Sequence, residues 1–214
     1  MGAPEQTDYW NRVAGSKEFS LAVPVALVKE RLDTDARILD VGCGYGRALC
    51  AIAGEGYTDL CGIDSAERMV AAARANLPSA EFKVNRGSDI PYEDARFDGV
   101  LVIGVLTCIP DDAAQARLVE EAARVLRPGG LLYVADFLLN DDERNRARYA
   151  RFEDEFGTYG VFRLDEGVVV RHHAPQRIRA LTAAFQEELF EEKTVRTMNG
   201  HFARGFDYIG RKRG

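Results

Sequence analysis

Short apolar runs alternate with segments of helical periodicity between residues 38 and 137. Runs of this length that are rich in β-branched residues indicate strands buried on both faces, as in a parallel sheet. The intervening segments repeat apolar residues at helical spacing, so this region is predicted to be an α/β doubly wound sheet with helices on both faces. The five predicted strands are residues 38–41, 60–63, 81–84, 97–103 and 131–137.

The pattern changes after the fifth strand, where residues 138–174 form a predicted insertion. A charged helix over about 140–156 precedes a hairpin whose apolar strands, 161–164 and 168–171, flank an Asp-Glu-Gly turn. The helix carries an aromatic face, which either roofs an apolar pocket or packs on the sheet or a second subunit: Tyr149, Phe152 and Phe156. Its arginines are most simply a solvated face: Arg144, Arg146, Arg148 and Arg151.

The chain is predicted to form one domain over residues 1–214. Its length and 46% hydrophobic content suit a single core. The predicted parts are an N-terminal lid or helix, a core, the insertion and a C-terminal helix with the last two strands, at 1–32, 33–137, 138–174 and 175–214.

Three glycines at alternate positions follow the first strand: Gly42, Gly44 and Gly46. A strand that runs through glycines into a helix presents backbone N–H groups and the positive helix end to a ligand. The dinucleotide fingerprint Gly-x-Gly-x-x-Gly would need glycine where this chain has Arg47. Asp40 stands before the glycines, and its carboxylate suits a cationic group of a ligand rather than a phosphate.

Asp64 ends the second predicted strand, about 20 residues after Gly42, where an acid can accept both hydroxyls of a ribose. The alternative is an aspartate that caps the next helix, but Ser65 also offers a cap there. We favour the ribose role because a strand and a glycine turn precede it.

These residues, with the later run L-R-P-G-G-L-L-Y-V-A-D-F at 126–137, resemble the class I S-adenosylmethionine-dependent methyltransferases. The resemblance covers about residues 38–137 and is closest to small-molecule enzymes, including those of quinone pathways. It implies a Rossmann-like seven-stranded sheet, mostly parallel with an antiparallel last strand, to which the helix-hairpin insertion is an addition. It also implies methyl transfer to a small-molecule acceptor, with S-adenosyl-L-methionine as cofactor and S-adenosyl-L-homocysteine as product.

The resemblance also implies the cofactor site, with Asp64 at the ribose and Asp89 accepting from the adenine amino group. The full predicted cofactor set is Asp40, Gly42, Cys43, Gly44, Gly46, Asp64, Ser65, Met69, Ser88, Asp89, Ile90, Gly104 and Val105. The predicted acceptor contacts are Tyr9, Thr107, His172 and His201. No catalytic residue is assigned, and the methylated atom and the use of a general base stay open.

The amino-acid composition limits the binding partners and the cellular location that we expect for the chain. The 28 basic and 34 acidic residues give a net charge of −6, which disfavours nucleic acid and anionic membranes as partners. The four cysteines lack metal-site spacing and suggest reduced thiols. The longest apolar run, residues 99–109, is shorter than the roughly 20 residues of a membrane span. We expect a cytoplasmic monomer or homodimer without a bound metal.

Two other functions fit parts of this pattern. A non-catalytic S-adenosylmethionine-binding protein would keep every cofactor motif yet lack an acceptor pocket. A nucleotide-dependent oxidoreductase would share the fold and the acid after the second strand, but it would need a third glycine at the position of Arg47.

Overall fold

The computed structural model describes residues 4–15, 19–198 and 200–214, with only the backbone of Pro4 and Glu5. Parts of the predicted N-terminal segment, residues 1–3 and 16–18, therefore lie outside the described residues. The strands are β1 Ile38–Val41, β2 Leu60–Asp64, β3 Glu81–Val84, β4 Phe97–Ile103, β5 Leu126–Phe137, β6 Val161–Arg163, β7 Val169–Arg171, β8 Phe185–Arg196 and β9 Phe202–Lys212. The helices are α1 Pro4–Val13, α2 Val25–Lys29, α3 Arg47–Ala53, α4 Glu67–Asn76, α5 Asp112–Val125, α6 Glu143–Phe156 and α7 Pro175–Leu181.

Seven strands form one sheet in the order β3-β2-β1-β4-β5-β9-β8. The first five strands in that order are parallel, and β9 runs antiparallel to both of its neighbours. The predicted doubly wound sheet with an antiparallel last strand is thus confirmed. The fifth strand begins earlier than predicted because Leu126 already pairs with Phe97 before a bulge.

Helices cover both faces of the sheet. Along β4, Val100 and Val102 pack on one face with α5 and α7, whereas Leu101 between them packs on the other with α3 and α4. A buried parallel strand must be apolar on both faces, which is why the sequence shows a continuous apolar run there. Each such side chain contributes roughly 1.5–3 kcal/mol by leaving water.

The insertion returns to the edge of the sheet from which it departs. Asp142 caps α6 by accepting from the Asn145 N–H, and Gly157 ends the helix with a φ of 64°. The strands β6 and β7 form the predicted hairpin. His173 then bonds back to the end of β5, since its N–H donates to Phe137 O and its carbonyl accepts from Leu139 N.

The predicted N-terminal lid or helix, residues 1–32, contains two separate helices among its described residues. Helix α2 is short, since it begins after Pro24 at its N-cap and ends at Lys29. Helix α1 lies against the core: Asn11 accepts from Arg68 N, and the Gln6 amide donates to Cys108 O and Val169 O. Helix α1 thus joins the loop after β4 to the hairpin.

Candidate functional site

A cavity opens at the carboxyl ends of the parallel strands, where ligands of open α/β sheets bind. Its lining runs from Asp64 at the end of β2 to Ala203 near the start of β9. These two strands are separated by β1, β4 and β5, so at the usual strand spacing the cavity extends over ~19 Å. That length accommodates a nucleoside on the β1–β2 side and a second small molecule on the β5–β9 side.

The turn after β1 has the geometry that its glycines indicate. Gly42 and Gly46 have φ values of 72° and 83°, in the region that favours glycine. A Cβ atom on Gly42 would lie 2.5 Å from Cγ2 of Val105, so the turn and the loop after β4 approach too closely for a side chain. Gly42, Cys43, Gly104 and Val105 all line the cavity beside this approach.

Asp40 is buried at the cavity wall, and its carboxylate has no hydrogen-bond partner among the described residues. Burial and, to a lesser extent, the nearby Asp64 raise the pKa of Asp40 to about 8 against the opposing effect of Arg47. A buried carboxylate without a partner is costly unless a cation compensates it. The residue therefore fits a ligand with a cationic group, as the ammonium and sulfonium of S-adenosylmethionine would provide.

Asp64 also lines the cavity, and backbone groups hold its carboxylate in place. Its Oδ2 accepts from Gly44 N at 2.9 Å and its Oδ1 from Ala66 N at 2.8 Å. Burial raises the pKa of Asp64, while these N–H groups lower it. Ser65 does not cap α4 through its side chain, although the sequence offered it as a cap. Its hydroxyl instead accepts a hydrogen bond from the Thr7 hydroxyl, and Asp64 accepts from the Ala66 N–H at the start of the helix. Each carboxylate oxygen keeps a lone pair for a ribose hydroxyl.

Five predicted cofactor residues do not line the cavity: Gly44, Gly46, Ser88, Asp89 and Ile90. Asp89 is exposed and accepts from Arg117 of α5 at 2.7 Å, which turns its carboxylate away from the cavity. Ile90 is buried in the core, and its N–H donates to Glu121. The structure therefore does not bring the predicted adenine contact to the site.

Asp136, which the sequence analysis did not single out, fixes the loop after β4. Its carboxylate is fully buried and accepts from Thr107 N at 3.0 Å and Phe137 N at 2.7 Å. Burial raises the pKa of Asp136 to about 7 despite the opposing effect of these N–H groups. Thr107 and Phe137 both line the cavity, so Asp136 holds the walls beside β4 and β5 together. In the sequence, the feature that could have indicated Asp136 is an acidic residue within the otherwise apolar run L-L-Y-V-A-D-F.

His172 lines the cavity, and its proton can be placed from its bonds. The Tyr149 hydroxyl accepts from Asn140 N, which leaves its own proton for His172 Nδ1 at 2.6 Å. The Asn140 amide nitrogen, oriented by its bonds to Leu138 and Arg204, also points at Nδ1. Burial, with a smaller effect of Arg148, holds the pKa of His172 well below its usual range. The neutral ring therefore carries its proton on Nε2.

The other two histidines differ in role. His173 is buried outside the cavity, where Phe137 O accepts from its Nδ1 and Gln115 donates to its Nε2. Only one residue of the pair therefore reaches the cavity, as strand alternation predicts. His201 is exposed on the turn between β8 and β9 and lines the cavity, as does Tyr9 of α1.

The face of α6 that meets the cavity is its arginine face and not its aromatic face. Arg144 and Arg148 line the cavity, together with Phe162 and the hairpin valines, although the sequence favoured a solvated arginine face. The aromatic face of α6 packs within the protein instead. Tyr149 is fully buried against Phe162 and His172, while Phe152 and Phe156 contact each other.

Comparisons with known proteins agree with this geometry. Residues 39–134 match the model of a methyltransferase domain family. The chain is 31% identical over 158 residues to an O-methyltransferase of Aspergillus sclerotiorum, covering 69% of this chain and 59% of that protein. It is 36% identical over 109 residues to 27-O-demethylrifamycin SV methyltransferase of Amycolatopsis mediterranei, covering 48% and 39% respectively. The chain thus spans about two fifths to three fifths of the length of these relatives.

A solved structure gives a more complete match. The S-adenosylmethionine-dependent methyltransferase of Methanosarcina mazei superposes with a TM-score of 0.83 at 29% identity, over 87% of this chain and 97% of that one. The chain therefore carries a class I S-adenosylmethionine-dependent methyltransferase domain, and the predicted resemblance is confirmed. S-adenosylmethionine is the cofactor of this domain. Within the described residues, no helix is long and apolar enough to cross a membrane.

Proposed function

We propose that this protein transfers the methyl group of S-adenosylmethionine to a small-molecule acceptor bound beneath the insertion. The observation that carries the proposal is that one continuous cavity joins Asp40 and Asp64 to the apolar walls of the hairpin. Relatives named as O-methyltransferases make a hydroxyl oxygen the first acceptor class to test.

The cofactor residues of this proposal act by position and charge. S-adenosylmethionine supplies an activated methyl group on a positively charged sulfur. Asp40 neutralises the cationic methionine end, and Asp64 accepts from the ribose hydroxyls. The glycine turn at Gly42 lets the backbone approach the ligand. Methyl transfer gains most from alignment of the two reactants and exclusion of water, and the roof formed by α1 and the hairpin serves both.

The acceptor residues supply one fixed donor and one candidate base. His172 presents its Nε2–H to the cavity and has no hydrogen bond from Nε2 among the described residues, so it orients an acceptor oxygen rather than removing a proton. For an acceptor that must lose a proton, we assign the base to His201, whose ring lines the same cavity. Tyr9 and Thr107 bound the acceptor between the two parts of the site.

The first experiment separates the proposal from its two rivals. Calorimetric titration with S-adenosylhomocysteine and with NAD identifies the ligand, and release of S-adenosylhomocysteine with a panel of phenols and alcohols identifies turnover. We expect binding of the nucleoside and acceptor-dependent release. Displacement by NAD would indicate an oxidoreductase, whereas tight binding without release for any acceptor would indicate a non-catalytic binding protein.

A matched pair of substitutions on β7 tests where the acceptor binds. Val170 lines the cavity, whereas the neighbouring Val169 does not. Val170→Trp should fill the acceptor space and abolish turnover while S-adenosylhomocysteine affinity stays within a few-fold. Val169→Trp adds the same volume outside that space and should keep turnover. Equal turnover in the two variants would show that the acceptor binds elsewhere.

We also propose a cytoplasmic location and a monomeric or homodimeric state. Supporting observations are the four free cysteines, Cys43, Cys50, Cys61 and Cys108, and the acidic composition. Sedimentation of the purified protein measures the oligomeric state.

A further inference from the structure

Two arginines on one face of α6 line the acceptor part of the cavity. Arg144 and Arg148 are one helical turn apart, so their side chains lie side by side. They reach the cavity next to Phe162, His172 and the valines of the hairpin. Two positive charges therefore stand at an otherwise largely apolar wall.

Neither arginine forms a salt bridge among the described residues, although the chain has more acidic than basic residues. The Asp142 carboxylate acts on both only through its charge at longer range. Two other arginines of similar or greater burial are paired: Arg124 contacts Glu121 and Asp94, and Arg171 contacts Asp112. Arg47, which also lines the cavity, forms no salt bridge among the described residues, but its charge acts on the Asp40 carboxylate.

Arg148 is also poorly satisfied where it lies. Its guanidinium carbon lies 3.7 Å from the centre of the Phe162 ring, and its buried Nε has no hydrogen-bond partner in the described part of the chain. Burial lowers the pKa of Arg148 and the positive charge of Arg144 also lowers it, whereas the neighbouring Tyr149 hydroxyl raises it. That hydroxyl also accepts from Asn140 N and donates to His172, so it satisfies Arg148 only in part. A desolvated cation in this state gains most from an incoming anion.

We infer that the acceptor is an apolar molecule with a carboxylate, which Arg148 and Arg144 bind while the hairpin encloses its apolar body. The planar fork of a guanidinium matches a carboxylate in a bidentate manner, and stacking on Phe162 holds that fork in one plane. His172 Nε2–H adds a neutral donor beside the pair. The inference rests on the proposed function, since it specifies the acceptor of that reaction.

The test compares acids with their amides, which have nearly the same shape but no charge. Naphthoate, cinnamate and phenylacetate, each with its primary amide, are titrated into the protein saturated with S-adenosylhomocysteine. We expect at least one acid to bind about tenfold or more tightly than its amide, as a charge-assisted hydrogen bond implies. Arg148→Gln and Arg144→Gln should each remove most of this preference without changing S-adenosylhomocysteine affinity.

Arg146→Gln is the control, because Arg146 is exposed on the same helix outside the cavity. It makes the same change in net charge and should keep the preference for the acid. Arg144 is exposed, so Arg144→Gln should fold normally. This variant still tests the inference if Arg148→Gln fails to fold.

Three results would overturn the inference: equal binding of acids and amides, an equal loss in Arg146→Gln, or no binding of any acid at millimolar concentration. The hydroxy derivatives of the acids that bind are then incubated with S-adenosylmethionine. If these bind through Arg148 but no methylated product forms, the proposed function is refuted and the carboxylate site is not. Methyl transfer to neutral acceptors that is unchanged in Arg144→Gln and Arg148→Gln would support the proposed function and refute the carboxylate site.

Discussion

Asp40→Asn should remove the pH dependence of cofactor binding. Asp40 is a buried carboxylate at the cavity wall without a hydrogen-bond partner among the described residues, and burial raises its pKa to about 8. The ammonium group that S-adenosylmethionine and S-adenosylhomocysteine share binds the ionised form. Asparagine keeps the shape of the side chain but cannot become charged, so only the electrostatic part of the interaction is lost.

The magnitude follows from the pKa of Asp40. With a value of about 8, about one tenth of the protein has an ionised Asp40 at pH 7 and about one hundredth at pH 6. The apparent Kd for S-adenosylhomocysteine should therefore fall about tenfold between pH 6 and pH 7 and level off above about pH 8. The stability of the unliganded protein should follow the opposite trend. Because the folded state holds the proton more tightly than the unfolded state, its stability decreases as pH rises from about 4 to about 8.

Isothermal titration calorimetry in two buffers of different ionisation enthalpy measures both quantities. At pH 7 the parent should release nearly one proton per bound S-adenosylhomocysteine, and Asp40→Asn should release almost none. Asp89→Asn is the control, since it removes a carboxylate that lies outside the cavity and should leave the slope with pH in place. A Kd of the parent that is constant from pH 6 to pH 8 would refute the assigned role of Asp40.

Three further predictions follow from the same geometry. Gly42→Ala should abolish S-adenosylhomocysteine binding and lower the melting temperature, because its Cβ would meet Val105 at 2.5 Å. Asp64→Ala should weaken binding by ~1.5–3 kcal/mol, whereas Asp89→Ala should not change it, because Asp89 lies outside the cavity; calorimetry measures both. His172→Gln should raise the acceptor KM but leave the pH profile of kcat unchanged, since the neutral ring donates a hydrogen bond and removes no proton.

A specific result would contradict each of these three predictions. Gly56→Ala is the glycine control, because Gly56 also has a positive φ but its added Cβ would meet nothing closer than 3.9 Å. Equal losses at Gly42 and Gly56 would show backbone strain rather than the close approach. Loss of affinity in Asp89→Ala alone would restore its predicted adenine contact. Loss of a titration step in His172→Gln would show that His172 acts as the base.

The sheet and one side of the cavity could be predicted because their signals are local. Each buried strand is a short apolar run, and the glycine turn follows the first of them directly. Asp40 and Asp64 reach the cavity because the backbone at a strand end fixes where their side chains point. Asp89 does not line the cavity, and its carboxylate accepts instead from a distant partner, Arg117 of α5, which periodicity does not reveal. Its adenine contact stays a prediction.

The face of α6 that meets the cavity could not be predicted. Tyr149 and its aromatic neighbours repeat at the same helical spacing as Arg144 and Arg148, so periodicity does not decide between the two faces. The docking of the hairpin decides it, because Phe162 and His172 enclose Tyr149 and leave the arginines toward the cavity. That contact joins residues far apart in the sequence and has no local signal.

The most direct test of the central claim follows the methyl group itself. The protein is incubated with the acceptor panel and with S-adenosylmethionine that carries a deuterated methyl group. Mass spectrometry then measures the masses and amounts of the products. The account predicts a small-molecule product that carries the labelled methyl group in an amount equal to the S-adenosylhomocysteine formed, and loss of both in Val170→Trp. Tight binding of the cofactor without any labelled product, or equal labelling by Val170→Trp, would contradict it.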